Sequence, residues 1–114
     1  MIAEDFRRLA LALPEAVEQA HMDHPDFRVG GKIFATLDQG GTRGMVKLTP
    51  DQQEVLMSAE PDVFTPCAGA WGVRGCTYLI LAAAEEDIAH SALRLAWLNT
   101  APAKIRARFP EVGA

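Results

Sequence analysis

The chain has 114 residues and a mass of 12.4 kDa, enough for one domain and too short for two. Apolar residues make up 49% and charged residues 23%, values that speak against disorder and against a fibrous protein. The net charge is −4, which is unlike a dedicated non-specific nucleic-acid binder, since phosphate neutralisation and counterion release supply most of such affinity.

The longest apolar run, Tyr78–Ala84, is strand length and far short of a bilayer span. Glu4 and Asp5 interrupt the first residues, which is unlike a secretory signal. The expectation is a cytoplasmic protein without a membrane partner. In such a compartment Cys67 and Cys76 are free thiols, although the glycines between them can bring the two close across a turn.

Ile2, Phe6, Leu9 and Leu13 form one stripe at helical period, predicting a helix over 2–13 that Pro14 stops. Residues 15–26 are polar and read as a short strand at most, followed by a loop. Gly30-Gly31 then separates two strand-like runs, 27–29 and 32–37, as a two-residue hairpin turn. A second turn over 38–43 leads into a third strand over 44–48, which completes an antiparallel meander. Thr49 before Pro50 is a helix start, and Pro61 ends that helix. Val63-Phe64 reads as a brief strand and 76–81 as a buried one, with 69–75 between them as a loop or a bulged hairpin. Glu85, Glu86 and Asp87 open a helix over 85–98, and a last helical turn through Ile105 and Phe109 closes the chain. The order is α-β-β-β-α-β-β-α, an α+β two-layer domain over 1–114 with one antiparallel sheet and helices on one face.

Chemistry is sparse along the chain. Ser58 and Ser91 fall inside predicted helices, and neither Cys67 nor Cys76 has an activating base nearby in sequence. Gly40-Gly41-Thr42-Arg43-Gly44 lacks the lysine of a phosphate loop and leads into a strand. No catalytic constellation is found, and no cofactor is expected. His21 and His24, with Asp23 and Asp26, are the nearest approach to a metal set. Their i, i+3 spacing and the lack of a distant ligand favour a solvated loop, and no metal is expected.

Positive charge is more suggestive. Residues 28–47 hold Arg28, Lys32, Arg43 and Lys47 against Asp38 alone. Strand alternation places Ile33, Ala35 and Leu37 on one face and Lys32, Phe34 and Thr36 on the other. An open sheet face carrying Arg28, Lys32 and Lys47 with Phe34, joined by Trp71 and Arg74, has the ingredients of phosphate contact and base stacking. It is equally the composition of an ordinary wet surface. Trp97 reads as core, whereas glycine-flanked Trp71 reads either as a binding-loop aromatic or as a lid on the sheet.

The block Phe27-Arg28-Val29-Gly30-Gly31-Lys32-Ile33-Phe34-Ala35, then Met45-Val46-Lys47-Leu48, a proline-led helix and Gly69-Ala70-Trp71-Gly72, resembles the MmcQ/YjbR family of small bacterial proteins. The resemblance runs from Leu13-Pro14 to the closing helices. It implies a single two-layer domain of order α-β(3)-α-β(2)-α, akin to secretion chaperones. Members are often labelled DNA-binding, and no catalytic residues carry over. The Cys67–Arg74 stretch departs from the polar run that the family more often has there.

The expectation is a non-enzymatic binding domain contacting DNA, with Arg28, Lys32, Lys47 and Arg74 on phosphates and Trp71 stacking. One alternative is a chaperone-like adaptor for a protein or peptide partner. Another is a small-molecule pocket beneath the Trp71 loop using His21 or His24. Monomer and homodimer both stay open.

Overall fold

A computed structural model describes the backbone of all 114 residues and every side chain except that of His21. The amphipathic stripe forms α1 (Ala3–Leu11), with Phe6 and Ala10 buried, and the Asp5 carboxylate accepts the amide of Ile2 at 2.9 Å. The polar stretch that follows is more ordered than its composition predicts. It forms β1 (Val17–His21), which pairs along its whole length with β2 (His24–Val29). Met22 and Asp23 close that hairpin at φ 50° and 65°, a turn without glycine and therefore without the usual sequence signal.

Gly30 and Gly31, at φ 59° and 80°, make the predicted turn into β3 (Lys32–Leu37), and β4 (Arg43–Lys47) follows. Asp38 builds the β3–β4 turn, where its carboxylate accepts the amides of Thr42 and Arg43 and the Thr42 hydroxyl. Helix α2 (Pro50–Ala59) starts at Thr49, whose hydroxyl accepts the Gln52 amide while the Gln52 side chain accepts the Thr49 amide. After β5 (Phe64–Pro66), the glycine-rich stretch forms a short helix, α3 (Gly69–Val73), and is neither the loop nor the bulged hairpin expected. Strand β6 (Cys76–Ile80) and the helices α4 (Glu86–Thr100) and α5 (Ala103–Arg108) complete the chain.

The fold is α+β: one antiparallel sheet in the order β1-β2-β3-β4-β6-β5, with five helices. It exceeds the expected order by the strand β1 and the helices α3 and α5, the last of these expected only as a closing turn. Helices α1 and α4 cover one face, where Phe6, Phe27, Val46, Leu79, Leu93 and Trp97 are fully buried. The indole of Trp97 donates to the carbonyl of Pro14 at 2.9 Å, tying α4 to the end of α1. Phe6 meets Phe27 edge-on at 6.1 Å and lies over Gly44, where any Cβ would sit 2.5 Å from the ring. Among the described residues, no helix is long and apolar enough to cross a membrane.

The register of β2 on β3 changes which residues face where. Phe27 pairs with Ala35 and Arg28 pairs with Ile33, so Phe34 is an extra residue in a β-bulge. Phe34 and Ala35 are consequently both buried on the helix side, and the alternation shifts by one. Before the bulge, Ile33 is on the open face. Lys32, opposite buried Val29, sits at the hairpin end on the helix side. The expected placement of Lys32 and Phe34 on the open face is therefore incorrect. The bulge arises where two adjacent apolar residues, one of them a large aromatic, gain more from burial than strict alternation allows.

Candidate functional site

The open face takes alternate side chains from β2, β4 and β6, and from β3 it takes Ile33 and Thr36 on either side of the bulge. Asp26 and Arg28 come from β2, Ile33 and Thr36 from β3, Arg43, Met45 and Lys47 from β4, and Cys76 and Tyr78 from β6. Two adjoining depressions lie on this face and share Ile33, Thr36, Met45 and Tyr78 as their floor. The smaller, about 270 Å³, extends to His24, Asp26, Asp38 and Arg43. The larger, about 490 Å³, is bounded by Lys47, Cys67, Ala68, Trp71 and Cys76. Together they form one cleft running across the sheet, with an apolar floor, a polar end and an aromatic end.

The polar end is built on paired charges. Asp26 is fully buried, and Arg28 donates to it through Nε at 2.9 Å and Nη2 at 3.1 Å. This fork on a carboxylate fixes the guanidinium in place and sets its charge against that of a carboxylate. The hydrogen bond to Asp26 is the main reason that the Arg28 pKa lies above its ordinary value. Arg43 stacks on the Tyr78 ring, its guanidinium carbon 3.9 Å from the centroid, and its Nε lies 3.7 Å from Asp38. Burial pushes the Asp38 carboxyl up, but the hydrogen bonds from Thr42 and Arg43 and the charge of Arg43 outweigh it, so it titrates below its ordinary range.

The aromatic end depends on α3. Gly72 packs so tightly that an added Cβ would fall 1.8 Å from the carbonyl oxygen of Cys67. From α2, on the other face, the Gln53 amide donates to the carbonyls of Gly72 and Cys76, each at 3.1 Å, and to the Thr77 hydroxyl at 3.0 Å. Trp71 stands at the cleft edge, 63% exposed, with the Arg74 guanidinium 6.0 Å from its ring. Cys67 and Cys76 are free thiols. Burial, and secondarily the nearby Cys76, push Cys67 up to about 11, and burial raises Cys76 as well.

Of the residues singled out in the sequence, Lys47 and Trp71 line the larger depression and His24 lines the smaller one. Arg28 is on the open face but committed to Asp26, and Arg74 flanks the cleft beside Trp71. Lys32 is elsewhere. The side chain of His21 lies outside the described residues. His24 and Trp71 lie at opposite ends of the cleft. Sequence reading missed Arg43, Met45 and Tyr78. Their signal was available: with Lys47 outward, Met45 and Arg43 follow at period two, and Tyr78 lies between the inward residues Thr77 and Leu79.

The YjbR family model matches residues 11–99. The chain belongs to the YjbR family. This YjbR protein also resembles the crystal structure of the Deinococcus radiodurans protein DR2400, described as carrying a DUF419 domain, with a TM-score of 0.74. Identity is 22%, and the alignment covers 96% of this chain and 86% of DR2400, so the shared property is the fold. A search of curated proteins finds no match.

Proposed function

We propose that this YjbR protein is a non-enzymatic, cytoplasmic binding protein whose cleft takes nucleotide units of single-stranded DNA. The observation that carries the reading is the Arg43–Tyr78 stack on the cleft floor, with Lys47 and Trp71 at the other end. With its guanidinium lying on the Tyr78 ring, Arg43 offers its own outer plane to a base and its N–H edge to a phosphate, and Trp71 offers a second platform. Single strands fit better than duplex, because paired bases keep their faces stacked inside the helix and show only edges in the grooves. Two free thiols suit a reducing compartment.

The cationic footprint is smaller than sequence reading suggests. With Lys32 on the other side and Arg28 held by Asp26, the contributors are Arg43, Lys47 and Arg74. Three phosphate contacts on a single strand imply that affinity falls about 20-fold between about 50 and about 200 mM salt. The test is fluorescence anisotropy of a labelled oligothymidylate and its duplex at both salt levels. Salt-sensitive binding of the single strand is expected, weakened by Lys47→Glu and by Trp71→Ala. Equal binding of duplex and single strand, or none at the lower salt, refutes the reading. An unlabelled peptide that displaced the probe would point instead to a chaperone-like adaptor.

A further inference from the structure

The two cysteines of this chain are nine residues apart in sequence, yet they are opposed one step beyond the end of the β5–β6 ladder. Pro66 pairs with Thr77, and one step further the amide of Cys67 donates to the carbonyl of Cys76 at 3.0 Å. Residues opposed in this way point to the same side of a sheet. Both thiols line the larger depression of the open face.

Met45 lines it too. Lys47 is the β4 partner of Cys76, and Met45 is two positions away on the same face, a diagonal neighbour within reach of a long side chain. The three sulfur-bearing side chains of this face thus converge on one depression, with Trp71 beside them.

We propose that Cys67, Cys76 and Met45 form a binding site for a monovalent soft metal cation, Cu(I). The proposal does not rest on the nucleic-acid reading: its three sulfur ligands are side chains which that reading does not use, although Lys47 and Trp71 border both. Opposed residues hold their Cβ atoms about 4.5–5.5 Å apart, wider than the roughly 3.8 Å that a disulfide prefers. An ion bridging two sulfurs, with bonds near the ~2.3 Å of zinc thiolates, spans that gap without drawing the strands together.

The donor set selects the ion. Structural zinc takes four ligands, and among the described residues no three His, Cys, Asp or Glu side chains come together to begin such a set. Thiolate and thioether donors select Cu(I), and two thiolates with one thioether supply a low-coordinate sulfur site. On binding, each thiol releases its proton, so one Cu(I) and two thiolates carry a net charge of −1. Lys47, directly opposite Cys76, is placed to compensate that charge.

The test uses the full chain under anaerobic, reducing conditions, with Cu(I) supplied as its acetonitrile complex and contested by a chromogenic Cu(I) chelator. The expected result is withdrawal of one equivalent of Cu(I) per chain. Cys67→Ser and Cys76→Ser should each weaken uptake by at least about 100-fold, because loss of even an outer-shell partner costs 10–100-fold. Met45→Leu should weaken it about tenfold. Failure of the native chain to withdraw Cu(I), or unchanged uptake by the Cys67→Ser, Cys76→Ser double variant, overturns the site. Unchanged uptake by Met45→Leu overturns the thioether ligand. Should a serine variant not fold, X-ray absorption on the loaded native chain decides: a sulfur-only shell supports the site, and a nitrogen or oxygen shell refutes it. Oligothymidylate binding by the unloaded chain is read separately, so neither result decides the other.

Discussion

Replacing Phe34 by Ala tests the bulge, the feature on which the composition of both sheet faces depends. Phe34 has no solvent exposure and sits with Ala35 beneath the helices. A buried aromatic ring removes 150–250 Å² from water, worth about 4–6 kcal/mol at 25 cal/mol/Å². That is an upper value, because an unfolded chain already hides part of its surface. Truncation in a core that relaxes incompletely brings the expected loss to about 3–5 kcal/mol. With a urea slope of about 1–3 kcal/mol/M, the unfolding midpoint should fall by about 2 M while the slope stays unchanged. Ile33→Ala is the matched control. Ile33 is only partly buried on the cleft floor, so its truncation should cost about 1–2 kcal/mol and weaken oligothymidylate binding. Under simple alternation the two outcomes exchange places. A Phe34→Ala loss below about 1 kcal/mol, or one smaller than that of Ile33→Ala, refutes the assigned register.

Asp38→Ala removes the acceptor of three hydrogen bonds in the β3–β4 turn and should cost about 1–3 kcal/mol by urea unfolding at pH 7. Because Asp38 titrates lower folded than unfolded, its stabilisation is complete above the unfolded carboxylate pKa of 3.8 and is lost as pH falls through the lower folded value. The stability gap between native chain and Asp38→Asn should therefore close below pH 4; a gap that widens there would contradict it. Alkylation of Cys67 by iodoacetamide, followed by mass spectrometry of the folded chain, should rise with a midpoint near 11 instead of the ordinary thiol value of 9.0. A midpoint at or below 9 would show the thiol to be more hydrated than its surroundings imply. Gly44→Ala should cost about 1–3 kcal/mol through overpacking against Phe6. Combined with Phe6→Leu, the cost should be clearly less than the sum of the single changes, and strict additivity would place the clash elsewhere.

Most of the fold was legible where a local rule has a steric cause. The stripe of α1, the Gly30-Gly31 turn, the Thr49 cap and the proline stops all appear where expected, because each rests on interactions between near neighbours. The β1–β2 hairpin was not legible, since Met22 and Asp23 adopt positive φ without glycine and β1 is too polar to stand out. Helix α3 was hidden for a different reason. Gly72 reads as a breaker, but here it is required by close contact with the Cys67 backbone, which the turn into α3 folds back against it. The candidate site was legible in part. Lys47 and Trp71 follow from alternation and from glycine context, whereas the loss of Lys32 follows from a bulge that no pattern in 32–37 announces. Likewise, Arg28 looks free in sequence, and only the burial of Asp26 two residues away shows that its guanidinium is already engaged.

The Gln53 side chain has a consequence for how the cleft meets its occupant. By holding the carbonyls of Gly72 and Cys76 from the helix-covered side of the sheet, it makes the Trp71 wall an extension of the core and not a flap. A preorganised wall spares an incoming molecule the entropy of ordering a loop, and more of each contact then appears as affinity. It also limits adaptability. A cleft whose width is set from behind should discriminate sharply by ligand thickness, admitting one flat ring and rejecting a bulky, tetrahedral substituent at the same place.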